Sequence, residues 1–81
     1  MPRFHFNVDD GRHYPDPDGL ELAGQAAARD EALRAIGELV AAQPEDFWRD
    51  GFFRMTVTDD DGLTLFILDL SAVVSPVAQS H

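Results

Sequence analysis

Phe52-Phe53-Arg54-Met55-Thr56-Val57-Thr58-Asp59-Asp60-Asp61-Gly62-Leu63-Thr64-Leu65-Phe66-Ile67-Leu68-Asp69-Leu70 reads as one antiparallel hairpin whose register can be counted. Asp-Gly between alternating apolar residues is a strong signal for a two-residue type I′ turn. With Asp61-Gly62 as that turn, Val57 faces Phe66, Met55 faces Leu68 and Phe53 faces Leu70, all apolar and on one side. On the other side Arg54 lies opposite Asp69, an opposite-charge cross-strand pair. A slip of one residue sets Phe53 against Asp69 and Arg54 against Leu68, so the hydrophobic pattern selects the first register. Phe52, Leu65 and Ile67 then share the outer face with Arg54, Thr56 and Thr58.

Working outward, Arg3 to Val8 alternates as a half-buried strand, with Phe4, Phe6 and Val8 on one face and Arg3, His5 and Asn7 on the other. Asp9-Asp10-Gly11 reads as a three-residue turn that pairs Phe6 with Tyr14 and Asn7 with His13. Pro15 and Pro17 keep the return strand short, because proline gives no N–H to a ladder. From about Gly24 to Ala42 the pattern is helical, with Ala26, Leu33, Ile36 and Val40 on one stripe and Leu22, Ala32 and Leu39 beside it. Asp30, Arg34 and Glu38 occupy the opposite face, where Asp30 and Arg34 form an i,i+4 pair. Pro44-Glu45-Asp46 suits a helical first turn carrying Phe47 and Trp48 and stopped at Gly51.

The order β-β-α-β-β predicts an α+β fold: one antiparallel sheet of about four strands with a single long helix packed on one face. Residues 1–74 form the single domain, and 75–81, beginning Ser75-Pro76, are expected to be a flexible C-terminal tail.

Composition narrows the function classes. The 81 residues are 44% hydrophobic, with a mean hydropathy of -0.21, as in a globular domain rather than a disordered one. There is no cysteine, which removes disulfides, thiolate nucleophiles and cysteine-bound metals. Six arginines and no lysine face fifteen acids, giving a net charge of -9. Such a field repels phosphate backbones and anionic membranes, so neither a nucleic acid nor a membrane is an expected partner. No apolar run follows Met1-Pro2-Arg3-Phe4-His5 as a signal peptide would require, and a cytoplasmic location is expected.

Met1-Pro2-Arg3-Phe4 followed by Phe6, then Asp10-Gly11, then Asp18-Gly19-Leu20-Glu21-Leu22, then an alanine-rich helix through Ala28, Glu31 and Ala32, then Val57, Asp59 and Gly62 in order, resembles a known family. These are the short alphaproteobacterial proteins grouped as domain of unknown function 6894. The resemblance runs to about Leu70 and implies no activity, ligand or catalytic residue.

No catalytic constellation is visible. Ser71, Ser75 and Ser80 sit in no elbow motif, the glycines are scattered, and the carboxylates cluster at turns where water keeps them ionised. A non-enzymatic protein without a cofactor is expected. Asp9-Asp10-Gly11, Asp16-Pro17-Asp18-Gly19 and Asp59-Asp60-Asp61-Gly62 do not match the calcium-loop spacing and read as turns. His5 and His13 are expected on the outward face of the first hairpin, as weak metal candidates with Asp16 in reach, and their replacement by Gln is expected to leave folding intact. His81 is terminal and says little.

Three large apolar side chains together on an outer face are unusual for a monomer. Phe52, Leu65 and Ile67, with Phe47 and Trp48 nearby, are therefore the candidate interaction surface of a small self-associating protein, the partner being a second copy or another protein. The alternatives are an acidic regulator, antitoxin-like or mimicking nucleic acid, that occupies a basic site, and a metal- or small-ligand-binding protein using His5 and His13.

Overall fold

The computed structural model describes residues 1–79, so Ser80 and His81 lie outside the described residues. In chain order the elements are β1 (Arg3–Asp9), β2 (His13–Tyr14), β3 (Leu20–Glu21), α1 (Gln25–Ala42), α2 (Pro44–Asp50), β4 (Phe52–Thr58), β5 (Thr64–Ser71) and α3 (Pro76–Gln79). The fold is α+β. Its antiparallel sheet has five strands in the order β2-β1-β4-β5, with the short β3 also on β1. The first strands of the two hairpins meet at the centre, where Phe6 lies opposite Val57 and Val8 opposite Met55.

The second hairpin has the counted register: Phe53 opposite Leu70, Arg54 opposite Asp69, Met55 opposite Leu68 and Val57 opposite Phe66. Its turn is not type I′. That turn needs a positive φ at Asp61, and only glycines have one. Instead Gly62, at φ 83, gives its N–H to the Asp59 carbonyl at 3.1 Å, and Asp59 gives its own to the Leu63 carbonyl at 3.0 Å. Asp59 Oδ1 also accepts the N–H groups of Asp61 at 2.9 Å and Leu63 at 3.0 Å, holding the longer loop closed. The extra loop residue is absorbed by an irregularity: Val57 pairs with Phe66 but Thr58 with Thr64, which leaves Leu65 unpaired.

The first hairpin is offset from its expected register. Val8 lies opposite Tyr14 and Asp9 opposite His13, so the loop is Asp10-Gly11-Arg12. The chain then leaves the sheet at Pro15 and returns as β3, with Leu20 opposite Phe4 and Glu21 opposite Arg3. Gly19 makes this return possible. Its φ is 67, and a Cβ there would sit 2.9 Å from the Phe4 carbonyl oxygen.

Ala28, Ala32 and Ile36 are the buried residues of α1. They pack with Phe4, Phe53, Met55 and Val57 to form the core. The buried stripe is therefore rotated from the expected one: Leu33 is 66% exposed and Ala26 is also exposed. Alanine side chains let the helix axis approach β4, and that closeness outweighs the larger apolar area of Leu33. Arg34 pairs with Glu31 and Glu38, not with Asp30. α2 begins with Pro44 and ends where Gly51 gives its N–H to the Phe47 carbonyl at 2.7 Å. After Val74 the chain makes one helical turn, with the Ala78 N–H on Ser75 Oγ at 3.2 Å.

Candidate interaction surface

β5 is the outermost strand on its side of the sheet, pairing with β4 alone among the described strands. The helical layer packs on β4. The inner row of β5 is consequently thinly covered: Phe66 and Leu68 are half-buried, and Leu70, expected to face the helix, is 41% exposed. Natural edge strands carry charges, prolines or strong bulges that discourage pairing. β5 has the irregularity at Leu65 and a single charge, Asp69.

The outer face is less continuous than strict alternation implies. Phe52 and Ile67 stand out, 41% and 49% exposed. Leu65, released from pairing, packs against the core cluster instead. Between Phe52 and Ile67 lies a two-pronged ion pair, in which Arg54 Nε and Nη2 donate to Asp69 Oδ1 and Oδ2 at 2.6 and 3.1 Å. The hydrogen bonds from Arg54 hold the Asp69 carboxyl below the usual carboxylate range. Phe47 packs against the core cluster and meets Trp48 edge to face at 5.5 Å, while Trp48 is 61% exposed.

On the outer side of β1 the segment between β2 and β3 folds back over the strand, and Asp16 fixes it. Its N–H donates to Asn7 Oδ1 at 2.9 Å, and its carboxylate accepts the N–H groups of Phe6 and Gly19, both at 3.1 Å. Asn7 in turn donates to the Thr56 carbonyl at 3.1 Å. His5 Nδ1 lies 2.7 Å from the Asp16 carbonyl and Nε2 lies 2.8 Å from Asp60 Oδ1. Both partners are acceptors, so the arrangement is fully satisfied only by the doubly protonated ring. The hydrogen bond to Asp60, helped by that to Asp16, raises the His5 pKa from 6.5. His5 is thus a clamp between β1, the returning loop and the β4–β5 turn, rather than a free outward side chain.

His13 is exposed and sits opposite Asp9. That is four residues along β1 from His5, on the order of 13 Å at the rise of a strand, so the two imidazoles do not share a site. No group of three or more His, Asp or Glu side chains suited to a metal ion occurs among the described residues. The acidic turns direct carboxylates onto their own backbone: Asp9 accepts the Gly11 N–H at 3.1 Å and Asp10 the Arg12 N–H at 3.3 Å. A groove of about 330 Å³ runs between the β1–β2 turn and the α1–α2 junction, floored by Val8, Phe47 and Phe53 and rimmed by Asp10, Asp46 and Asp50.

Sequence reasoning missed the structural part played by Asp16 and left open which strand ends the sheet. Asp16 lies between Pro15 and Pro17, a place where the chain must leave a ladder, and that was the available signal.

The sequence that builds this small antiparallel sheet and its covering helix matches a family model over most of the chain. The match to domain of unknown function (DUF6894) spans residues 3–71, and the chain belongs to that family. No curated protein and no solved structure is significantly similar to it. Among the described residues no helix is long and apolar enough to cross a membrane.

Proposed function

We propose that the protein is a small, non-enzymatic, cytoplasmic interaction module that self-associates through its second hairpin. One observation carries this reading: β5 ends the sheet with an inner row, Phe66, Leu68 and Leu70, that the helical layer leaves partly bare. A domain this small gains much from sharing such a surface. Sedimentation of the whole protein at roughly ten micromolar, where a complex of micromolar Kd is largely assembled, is the test. A dimer that Ile67→Asp converts to a folded monomer is expected. A wild-type monomer under those conditions refutes the reading.

The groove favours a second reading, an acidic regulator that accepts a basic and apolar segment of another protein. Its apolar floor suits an aliphatic stem, and Asp10, Asp46 and Asp50 suit an arginine or lysine head, although Arg49 already lies 3.2 Å from Asp46 and 3.4 Å from Asp50. Binding of an arginine-rich amphipathic peptide that weakens with salt and with Asp10→Asn supports it. Binding indifferent to both counts against it.

A further inference from the structure

We infer that the open edge of β5 is completed by β5 of a second copy of this chain, the two strands running antiparallel about a two-fold axis at Leu68. This rests on the self-association reading and specifies the edge and register that carry it.

The direction of the backbone groups follows from one hydrogen bond. The Ala72 N–H donates to the Gly51 carbonyl at 3.0 Å. Antiparallel ladders alternate, so Leu70, Leu68 and Phe66 also turn their N–H and C=O toward β4. Ile67, Asp69 and Ser71 turn theirs to the open side. The edge therefore offers donors and acceptors in the alternation that another antiparallel strand needs.

Symmetry then limits the register. A two-fold that pairs a strand with itself in one sheet stands perpendicular to that sheet and sets residues of the same face opposite each other. The axis must pass through a residue. At Asp69 it would bring two like charges together, which is destabilising. At Ile67 or Phe66 the middle of the shared ladder would run into the irregularity at Leu65, beyond which Thr64 lies on the outer face opposite Thr58 and regular pairing breaks off. At Leu68 the inner row meets itself: Leu68 faces Leu68, and Phe66 faces Leu70 twice. These are the side chains the helical layer leaves partly bare. On the outer face Ile67 comes beside Asp69, whose carboxylate Arg54 of its own chain already holds.

A second copy fits despite the net charge of -9, because the paired stretch Thr64–Ser71 contains one acid, already in an ion pair. The acids of the Asp59–Asp61 turn lie beyond the end of the shared ladder.

Two measurements test the inference. In the wild-type dimer the amides of Ile67 and Asp69 should be protected from hydrogen exchange, with protection growing with protein concentration. Because the chain lacks cysteine, a single introduced thiol reports one position. Leu68→Cys should oxidise to a covalent dimer, since a non-hydrogen-bonded antiparallel pair sets Cα atoms about 4.5 Å apart, within disulfide reach. Thr56→Cys, one strand further in, lies roughly 14 Å from its copy and should not. A dimer whose Ile67 and Asp69 amides exchange freely, or in which Thr56→Cys cross-links and Leu68→Cys does not, overturns the edge pairing and leaves self-association standing. A monomer overturns both. If Leu68→Cys does not fold, the exchange measurement on the wild type decides.

Discussion

Asp16 takes the place of a strand residue beside Phe6: its Oδ2 accepts the Phe6 N–H at 3.1 Å, in the gap that β2 and β3 leave along β1. β2 reaches Val8 and β3 reaches Phe4, so Phe6 would otherwise turn an unpaired N–H to a partly buried edge. Hydrogen bonds to charged acceptors contribute about 1.5–3 kcal/mol, and the same carboxylate also holds the Gly19 N–H. Asp16→Ala should therefore lower the unfolding free energy by about 2 kcal/mol in urea, and Asp16→Asn, which keeps one acceptor oxygen, by less. A change within about 0.5 kcal/mol for Asp16→Ala would show that the carboxylate is an ordinary surface group.

His5 gives stability a pH dependence of definite sign. Its folded pKa lies above the unfolded value of 6.5, so the clamp contributes fully below about pH 6.5 and is lost as pH rises through the folded value. The stability difference between wild type and His5→Gln should be larger at pH 5.5 than at pH 8.5. An NMR titration should place the His5 midpoint above 6.5. A midpoint for His5 at or below 6.5 would contradict the two-acceptor arrangement.

The rotated helix stripe predicts opposite outcomes at adjacent positions. Ala32 is fully buried, and Ala32→Leu should cost about 1–3 kcal/mol by overpacking the helix against β4. Leu33→Ala should stay within about 0.5 kcal/mol, because Leu33 is 66% exposed. Thermal unfolding of the two variants side by side decides which face of α1 is buried.

Gly19→Ala should destabilise by roughly 1–3 kcal/mol. The position combines φ 67 with a Phe4 carbonyl 2.9 Å from the added Cβ, and backbone has little room to give. An alanine variant as stable as wild type would mean that the loop can leave β1 without loss of the fold.

The fold was legible where side-chain alternation and burial agree. Phe53, Met55 and Val57 against Leu70, Leu68 and Phe66 admit one register because a single slip buries Asp69. Alternation cannot separate registers that keep the same face, and the first hairpin shows this: Tyr14 beside Phe6 or beside Val8 preserves the apolar side equally well. The turn at Gly62 escaped because the Asp59 carboxylate, acting on two backbone amides, favours a longer loop than the Asp-Gly dipeptide alone implies. In α1, residue size misled: Leu33 looks like core and Ala28 does not, yet a close helix–sheet approach needs the smaller side chain. Of the candidate surface, Phe52 and Ile67 lie exposed as alternation implies and Trp48 is exposed on α2, whereas Leu65 moved inward because a bulge changes the face of the residue it frees.

The central ladder also sets a timetable for synthesis. Asn7 and Thr56, joined across β1 and β4, are 49 positions apart in the chain. At about 5–20 residues per second, β4 follows β1 out of the ribosome roughly 2–10 s later. The first 21 residues can close one side of β1 by themselves through β2, β3 and Asp16. Its other side, with Phe4, Phe6 and Val8 already made, waits for the second hairpin, and in that interval the nascent chain offers a nascent-chain chaperone its longest unpaired apolar strand.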